Sequence, residues 1–106
     1  MILSTTNDVP GRRVTRVLGL VQGSSIRARH IGRDLTAAFK NITGGEITEY
    51  TKLMAESREQ ALDRMREAAA AKGADAIVGV RFMTSSVMQN ASELFVYGTA
   101  VVTEAE

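Results

Sequence analysis

Apolar residues alternate with other residues in four stretches of the chain, which is the spacing of a β-strand. The first is the short "ILSTT" of residues 2–6, and the turn-forming "NDVPG" ends it. Three longer stretches follow: "RRVTRVLGLVQGSS" (12–25), "AKGADAIVGVRF" (71–82) and "ELFVYGTAVVT" (93–103). Each of the three is apolar at both odd and even positions in its middle, so each is predicted to be a strand covered on both faces.

Two other stretches repeat apolar residues every three or four positions, which predicts helices. The first is "RDLTAAFKNIT" (33–43), and two glycines follow it. The second runs from Glu46 to Gly73 and predicts a helix of about 25 residues, or roughly 37 Å. Such a helix is expected to outrun the sheet of a small domain, so part of it should lie against another subunit.

The order of these elements predicts an α+β fold in a single domain, residues 1–106. The last two strands should form an antiparallel hairpin, and the helices should cover one face of the sheet. Counting alternate positions places six apolar side chains on the other face. An exposed apolar patch of that size predicts a homo-oligomer, and aspartate at Phe95 or Val101 is expected to break it. The six residues are Val17, Val21, Ile77, Met83, Phe95 and Val101.

Composition narrows the classes of function. The 13 basic and 12 acidic residues nearly cancel, so neither a nucleic acid nor a membrane surface is expected as a partner. The absence of cysteine excludes disulfides, thiolate metal sites and a cysteine nucleophile. The first residues lack the basic and apolar regions of a signal peptide, and no apolar run reaches the roughly 18 residues of a membrane span. A cytoplasmic location is predicted.

Four motifs together resemble the YbjQ-like family. They are "GGEITEYTKL" (44–53), "SREQALDRM" (57–65), "GADAIVGVRF" (73–82) and "YGTAVV" (97–102), in an order that spans most of the chain. The resemblance implies a dodecin-like β-α-β-β subunit with a mostly antiparallel sheet, assembled as a ring of five that could pair with a second ring. The family has no settled activity, although it is sometimes labelled as heavy-metal-binding. Dodecins hold flavin by stacking it on tryptophan, and this chain has none, so no cofactor is carried over.

A cluster of cationic residues precedes the first predicted helix. Arg27, Arg29, His30 and Arg33 lie where free backbone N–H groups and guanidinium groups would bind a small anion. The alternative is a solvated loop, or one paired with carboxylates of a neighbouring subunit. His30 is the only histidine, so a metal site would need donors from several copies.

Arg81, Glu93 and Tyr97 flank the last two strands and complete the set of candidate ligand-binding residues. Arg81 lies in an apolar stretch and should have a partner, for which Glu93 is the candidate. Tyr97 should pack against the sheet. The favoured interpretation is a non-enzymatic ring that binds a small anion or metal ion between subunits. The alternative is an enzyme whose site is assembled between subunits from Arg27, His30, Arg81, Glu93 and Tyr97, and no catalytic residue is assigned.

Overall fold

Four strands and one long helix make up the part of the chain that the structure, a computed structural model, describes: residues 1–27, 46–88 and 91–106. The elements are β1 (Ile2–Leu3), β2 (Arg12–Arg27), α1 (Glu46–Ala71), β3 (Ala76–Met88) and β4 (Ala91–Ala105). The long helix and the four strands match the periodicity of the sequence. The helix predicted over residues 33–43 lies outside the described residues.

The strands form one mixed sheet in the order β1-β3-β4-β2. β4 is antiparallel to both β3 and β2, and β1 is parallel to β3. The predicted antiparallel hairpin of β3 and β4 and the α+β class are confirmed. β4 is the central long strand, because it pairs along most of its length on both sides.

α1 packs across β2 and β4 and covers one face of the sheet. Ala61, Met65 and Ala69 are fully buried on the helix side of this contact, and the two alanines let the helix backbone approach the strands closely. Burial of Met65 alone contributes about 1.5–3 kcal/mol. The sheet contributes the remaining buried members of this core, which are Val21, Ile77, Val80, Val96 and Ala100.

The predicted face of Val21 is wrong because β2 is bulged. The register with β4 shifts between Val17 and Gly19, and a bulge of this kind inserts one residue and reverses the alternation beyond it. Val21 therefore lies under the helix and is 3% exposed, whereas Val17 lies on the other face and is 69% exposed. Gly19 has a φ of 116°, a conformation that glycine adopts without steric cost.

A second bulge makes the predicted face of Ile77 wrong in the same way. The register of β3 with β4 shifts between Val78 and Arg81, where Gly79 has a φ of 62°. Ile77 is buried in the core beneath α1, while Met83 lies on the other face and is 52% exposed. The two residues were expected to share one face, and the inserted residue separates them.

The helix does not outrun the sheet, contrary to expectation. α1 has 26 residues and is about 39 Å long, whereas the 16 residues of β2 span about 50 Å. The sheet is therefore the longer layer, and the uncovered area belongs to the strands. No helix among the described residues combines the length and the apolarity needed to cross a bilayer.

We call the sheet face opposite α1 the open face. Near its start, Val101 packs with Ala76 and Val78 beneath Val9 and Val14, so the N-terminal turn closes this part of the face. Farther along, apolar side chains remain accessible. The most exposed are Val17 at 69%, Leu20 at 66%, Ile26 at 56% and Met83 at 52%.

Candidate functional site

The predicted ligand-binding residues divide into two groups in the structure. Arg29, His30 and Arg33 lie outside the described residues, and Arg27 is the last residue of β2. The predicted anion site therefore stays a prediction. Arg81, Glu93 and Tyr97 lie on the two neighbouring strands β3 and β4.

Arg81 and Tyr97 are brought directly opposite each other across β3 and β4. The Arg81 guanidinium donates from Nη1 to the carbonyl oxygen of Thr5 at 2.7 Å and to that of Val80 at 2.8 Å. Backbone carbonyls thus satisfy the cation that was expected to need a carboxylate. The side chain ties the N-terminal residues to the start of β3.

Glu93 lies too far along the sheet to pair with Arg81. Its Cα partners are Ser85 on β3 and Ile26 on β2, and it is separated from Tyr97 by four positions of β4, about 13 Å. Ion pairs within the described residues join Arg12 to Asp75, Arg13 to Glu104 and Arg66 to Asp63. The predicted pair of Arg81 and Glu93 is absent from this set, because the two side chains sit on different rungs of the ladder.

Tyr97 stacks on Phe95, with ring centroids 5.7 Å apart and an interplanar angle of 29°. The two residues are alternate positions of β4, so both rings lie on the open face. Both side chains are half-buried. Because β4 lies between β2 and β3 in the sheet, the two stacked rings lie between the exposed aliphatic side chains of β2 and Met83 of β3.

A polar network that sequence reasoning did not identify joins the starts of β2 and β3 to the end of β4. The Thr103 backbone N–H donates to Asp75 Oδ1 at 2.9 Å, and the Thr103 hydroxyl lies within 3.2 Å of both carboxylate oxygens. Arg12 donates from Nε to Thr103 Oγ1 at 2.7 Å and from Nη2 to Asp75 Oδ2 at 3.5 Å. The sequence signal was weak, since these residues are 91 and 63 positions from Arg12.

Asp75→Asn is expected to lower the free energy of unfolding by about 1–2 kcal/mol, because the amide turns a donor towards Arg12 and loses the charge that strengthens these bonds. Urea unfolding followed by circular dichroism measures the change. Glu104→Gln is the matched control: it removes the carboxylate of the exposed Arg13–Glu104 pair, and surface pairs contribute about 0–1 kcal/mol. Equal losses in the two variants would contradict a special role for the network.

The described residues of one chain do not form a metal site. No three His, Cys, Asp or Glu side chains among them come together as a ligand set. The carboxylates of Glu56, Glu59 and Asp63 line a shallow groove on α1 with Lys52, but they do not converge. These donors therefore do not fit a tightly held metal ion.

Comparison with known proteins identifies the family. Residues 1–104 match the YbjQ family model, described as "Putative heavy-metal-binding". A UPF0145 protein of Dehalococcoides mccartyi is 55% identical over 104 residues, which are 98% of this chain and all of the relative. A UPF0145 protein of Methanosarcina acetivorans is 50% identical over 101 residues, covering 95% of each chain.

A solved structure shares the fold. It is a protein of unknown function of the DUF74 family from Pediococcus pentosaceus, with a TM-score of 0.64 and 17% identity, covering 98% of each chain. The predicted resemblance is confirmed over almost the whole sequence by the family match and by relatives at about half identity. The chain therefore belongs to the YbjQ family.

Proposed function

We propose that the chain is a non-enzymatic cytoplasmic subunit that assembles with copies of itself through the open face, as a ring of five. A small anion or a metal ion is the proposed ligand, held where subunits meet. One observation carries the proposal: the open face exposes Val17, Leu20, Ile26 and Met83 to more than half of their accessible area.

Exposure of this kind favours assembly on energetic grounds. Full burial of a Val, Leu, Ile or Met side chain contributes about 1.5–3 kcal/mol. Association costs about 4–15 kcal/mol in lost translational and rotational freedom. Burial of four such side chains, together with the half-buried rings of Phe95 and Tyr97, contributes a free energy of similar size. Soluble monomers rarely expose contiguous apolar patches beyond a few hundred Å².

The count of five and the ligand have different support. The number of copies rests on the family resemblance, which implies a ring. The ligand rests on the cationic residues at 27–33 and on the family description as heavy-metal-binding. Because one chain has a single histidine and no cysteine, a soft or borderline metal would require donors from more than one copy.

The enzyme alternative gains no support from the described residues. Arg81 donates to two backbone carbonyls, and Glu93 lies about 13 Å along β4 from Tyr97. General acid–base chemistry requires groups that reach one reacting atom within hydrogen-bond distance. These three side chains do not converge in that way.

Leu20→Asp is expected to reduce the number of chains per particle, since it places a charge in the middle of the open face without touching the core beneath α1. Native mass spectrometry of protein purified without chelator measures the number of chains and any bound ion together. Thr51→Asp, which adds the same charge to an exposed position of α1, should leave the number unchanged. A wild-type protein that is a single chain at micromolar concentration, or an unchanged mass for Leu20→Asp, would overturn the proposed assembly.

A further inference from the structure

The exposed apolar side chains of the open face lie on two strands at opposite sides of the sheet. Val17, Leu20 and Ile26, which we call the β2 strip, are 69%, 66% and 56% exposed, and Met83 on β3 is 52% exposed. β4 lies between these two strands, and each of its residues from Glu93 to Thr103 is buried or half-buried. The accessible apolar area is therefore divided into two parts, one on each side of the subunit.

β3 exposes an apolar side chain on each face of the sheet. Met83 lies opposite Phe95, on the open face, whereas Phe82 lies opposite Val96, which belongs to the core beneath α1. Because α1 packs across β2 and β4, Phe82 lies beside the helix and remains 46% exposed. We call Phe82 and Met83 the β3 strip.

A ring of five requires each subunit to offer two different surfaces. A surface that contacts its own copy about a two-fold axis joins two chains and is then used up, whereas head-to-tail contacts between unlike surfaces can close a ring. The β2 strip and the β3 strip meet this requirement. They belong to opposite sides of the sheet, with the strands two spacings or about 10 Å apart, so each can contact a different neighbour.

Charge also favours contact between unlike strips. β2 contains four arginines, so two β2 strips placed side by side would bring like charges together, which destabilises a contact. β3 has no charged residue from Phe82 to Met88. The cation that precedes this stretch, Arg81, donates to the carbonyl oxygens of Thr5 and Val80. The β3 strip is therefore the better partner for the β2 strip.

We propose that each copy places its β2 strip against the β3 strip of the next copy, and that repetition of this contact closes the ring. The inference rests on the ring of five proposed above and specifies which surfaces meet in it. The contact is made by side chains and requires no backbone pairing between copies. Phe82 extends it around the side of the sheet, beyond the open face.

Cross-linking through introduced cysteines tests the proposal, because the chain has no cysteine of its own. A variant with both Leu20→Cys and Met83→Cys is treated with a bismaleimide that spans about 10 Å, or two strand spacings. A denaturing gel is expected to show a ladder of covalent species that ends at five chains, since each copy is linked to both neighbours. Val17→Cys and Ile26→Cys, each combined with Met83→Cys, cover a contact that is shifted along β2.

Two controls separate this contact from other contacts. Leu20→Cys alone and Met83→Cys alone should each remain a single chain on the gel, because like strips do not meet in the ring. Glu67→Cys combined with Met83→Cys places the first cysteine at an exposed position of α1 and should give no ladder. Native mass spectrometry checks that the variants keep the wild-type number of chains.

The other outcomes would overturn the proposal in distinguishable ways. Covalent species that stop at two chains would show a self-complementary contact. No cross-link at any of the three β2 positions, in a protein that native mass spectrometry shows to be assembled, would leave the assembly standing on other surfaces. A wild-type protein that is a single chain would overturn the assembly itself and this inference with it.

Discussion

Gly23→Ala is expected to lower the free energy of unfolding by about 3 kcal/mol, one of the largest effects of any single added methyl group in this fold. A Cβ at position 23 would overlap the carbonyl oxygen of Ala61 and lie 2.6 Å from the backbone nitrogen of Met65. Both atoms belong to the backbone of α1 and cannot rotate away, so the whole helix must move off the sheet. Overpacking at a rigid contact typically costs 1–3 kcal/mol and occasionally more.

The helix is held close on either side of this contact, which limits how it can yield. Ser25 Oγ donates to Gln60 Oε1 at 2.7 Å, and Arg64 Nη1 donates to the Ser24 carbonyl at 2.5 Å. Urea unfolding at a fixed protein concentration measures the effect, with the exposed Gln22→Ala as the neighbouring control, expected within about 0.5 kcal/mol of wild type. Unfolding of the two variants at the same urea concentration would contradict the close contact between Gly23 of β2 and the backbone of α1.

Val101→Asp is expected to abolish cooperative thermal unfolding. Val101 is 1% exposed within a single chain, packed with Ala76 and Val78 beneath the N-terminal turn. A carboxylate buried there without a cationic partner costs several kcal/mol, against a total stability of about 5–15 kcal/mol for a small domain. The substitution is therefore expected to unfold the protein. The sequence had suggested it as a test of assembly, but it does not serve as one.

Val17→Asp provides the matched control, because Val17 is the Cα partner of Val101 across β2 and β4. It lies on the same face but is 69% exposed, so the same aspartate stays in water. This variant should keep a cooperative transition while losing chains from the assembly. Differential scanning calorimetry compares the two variants, and equal loss of the transition in both would contradict the burial assigned to Val101.

The strands and the long helix could be predicted from the sequence because their periods extend over many residues. The sheet faces on which Val21 and Ile77 lie could not be predicted, because a bulge shifts the alternation of faces by one residue. In the sequence, the only sign of each of these two bulges is a glycine. Gly19 and Gly79 mark the bulges that reverse these two faces, whereas the register shifts between Val14 and Arg16 and between Ser86 and Met88 contain no glycine. Glycine within a strand predicts a bulge or a close approach, and Gly23 shows the second of these.

The candidate site was harder to predict than the fold. Arg81 was expected to pair with a carboxylate, but its acceptors are the backbone carbonyls of Thr5 and Val80. Every residue has a backbone carbonyl acceptor, so the pattern of side chains does not predict which carbonyls an arginine will bind. The link of Arg12 to Asp75 and Thr103 depends on strands that are adjacent only after folding, which a local reading of the sequence does not reveal.

The strand order has a consequence for how the chain acquires its structure. β4, at residues 91–105, is the only described strand that pairs with β2, and it lies between β2 and β3 in the sheet. During synthesis β2, α1 and β3 leave the ribosome before β4. β4 begins at residue 91, which is 64 positions after β2 ends at residue 27 (91 − 27 = 64), so β2 has no strand to pair with until that segment is made. Until then the apolar residues of β2 and α1 have no completed sheet to cover them, and this interval is when the nascent chain is most open to aggregation.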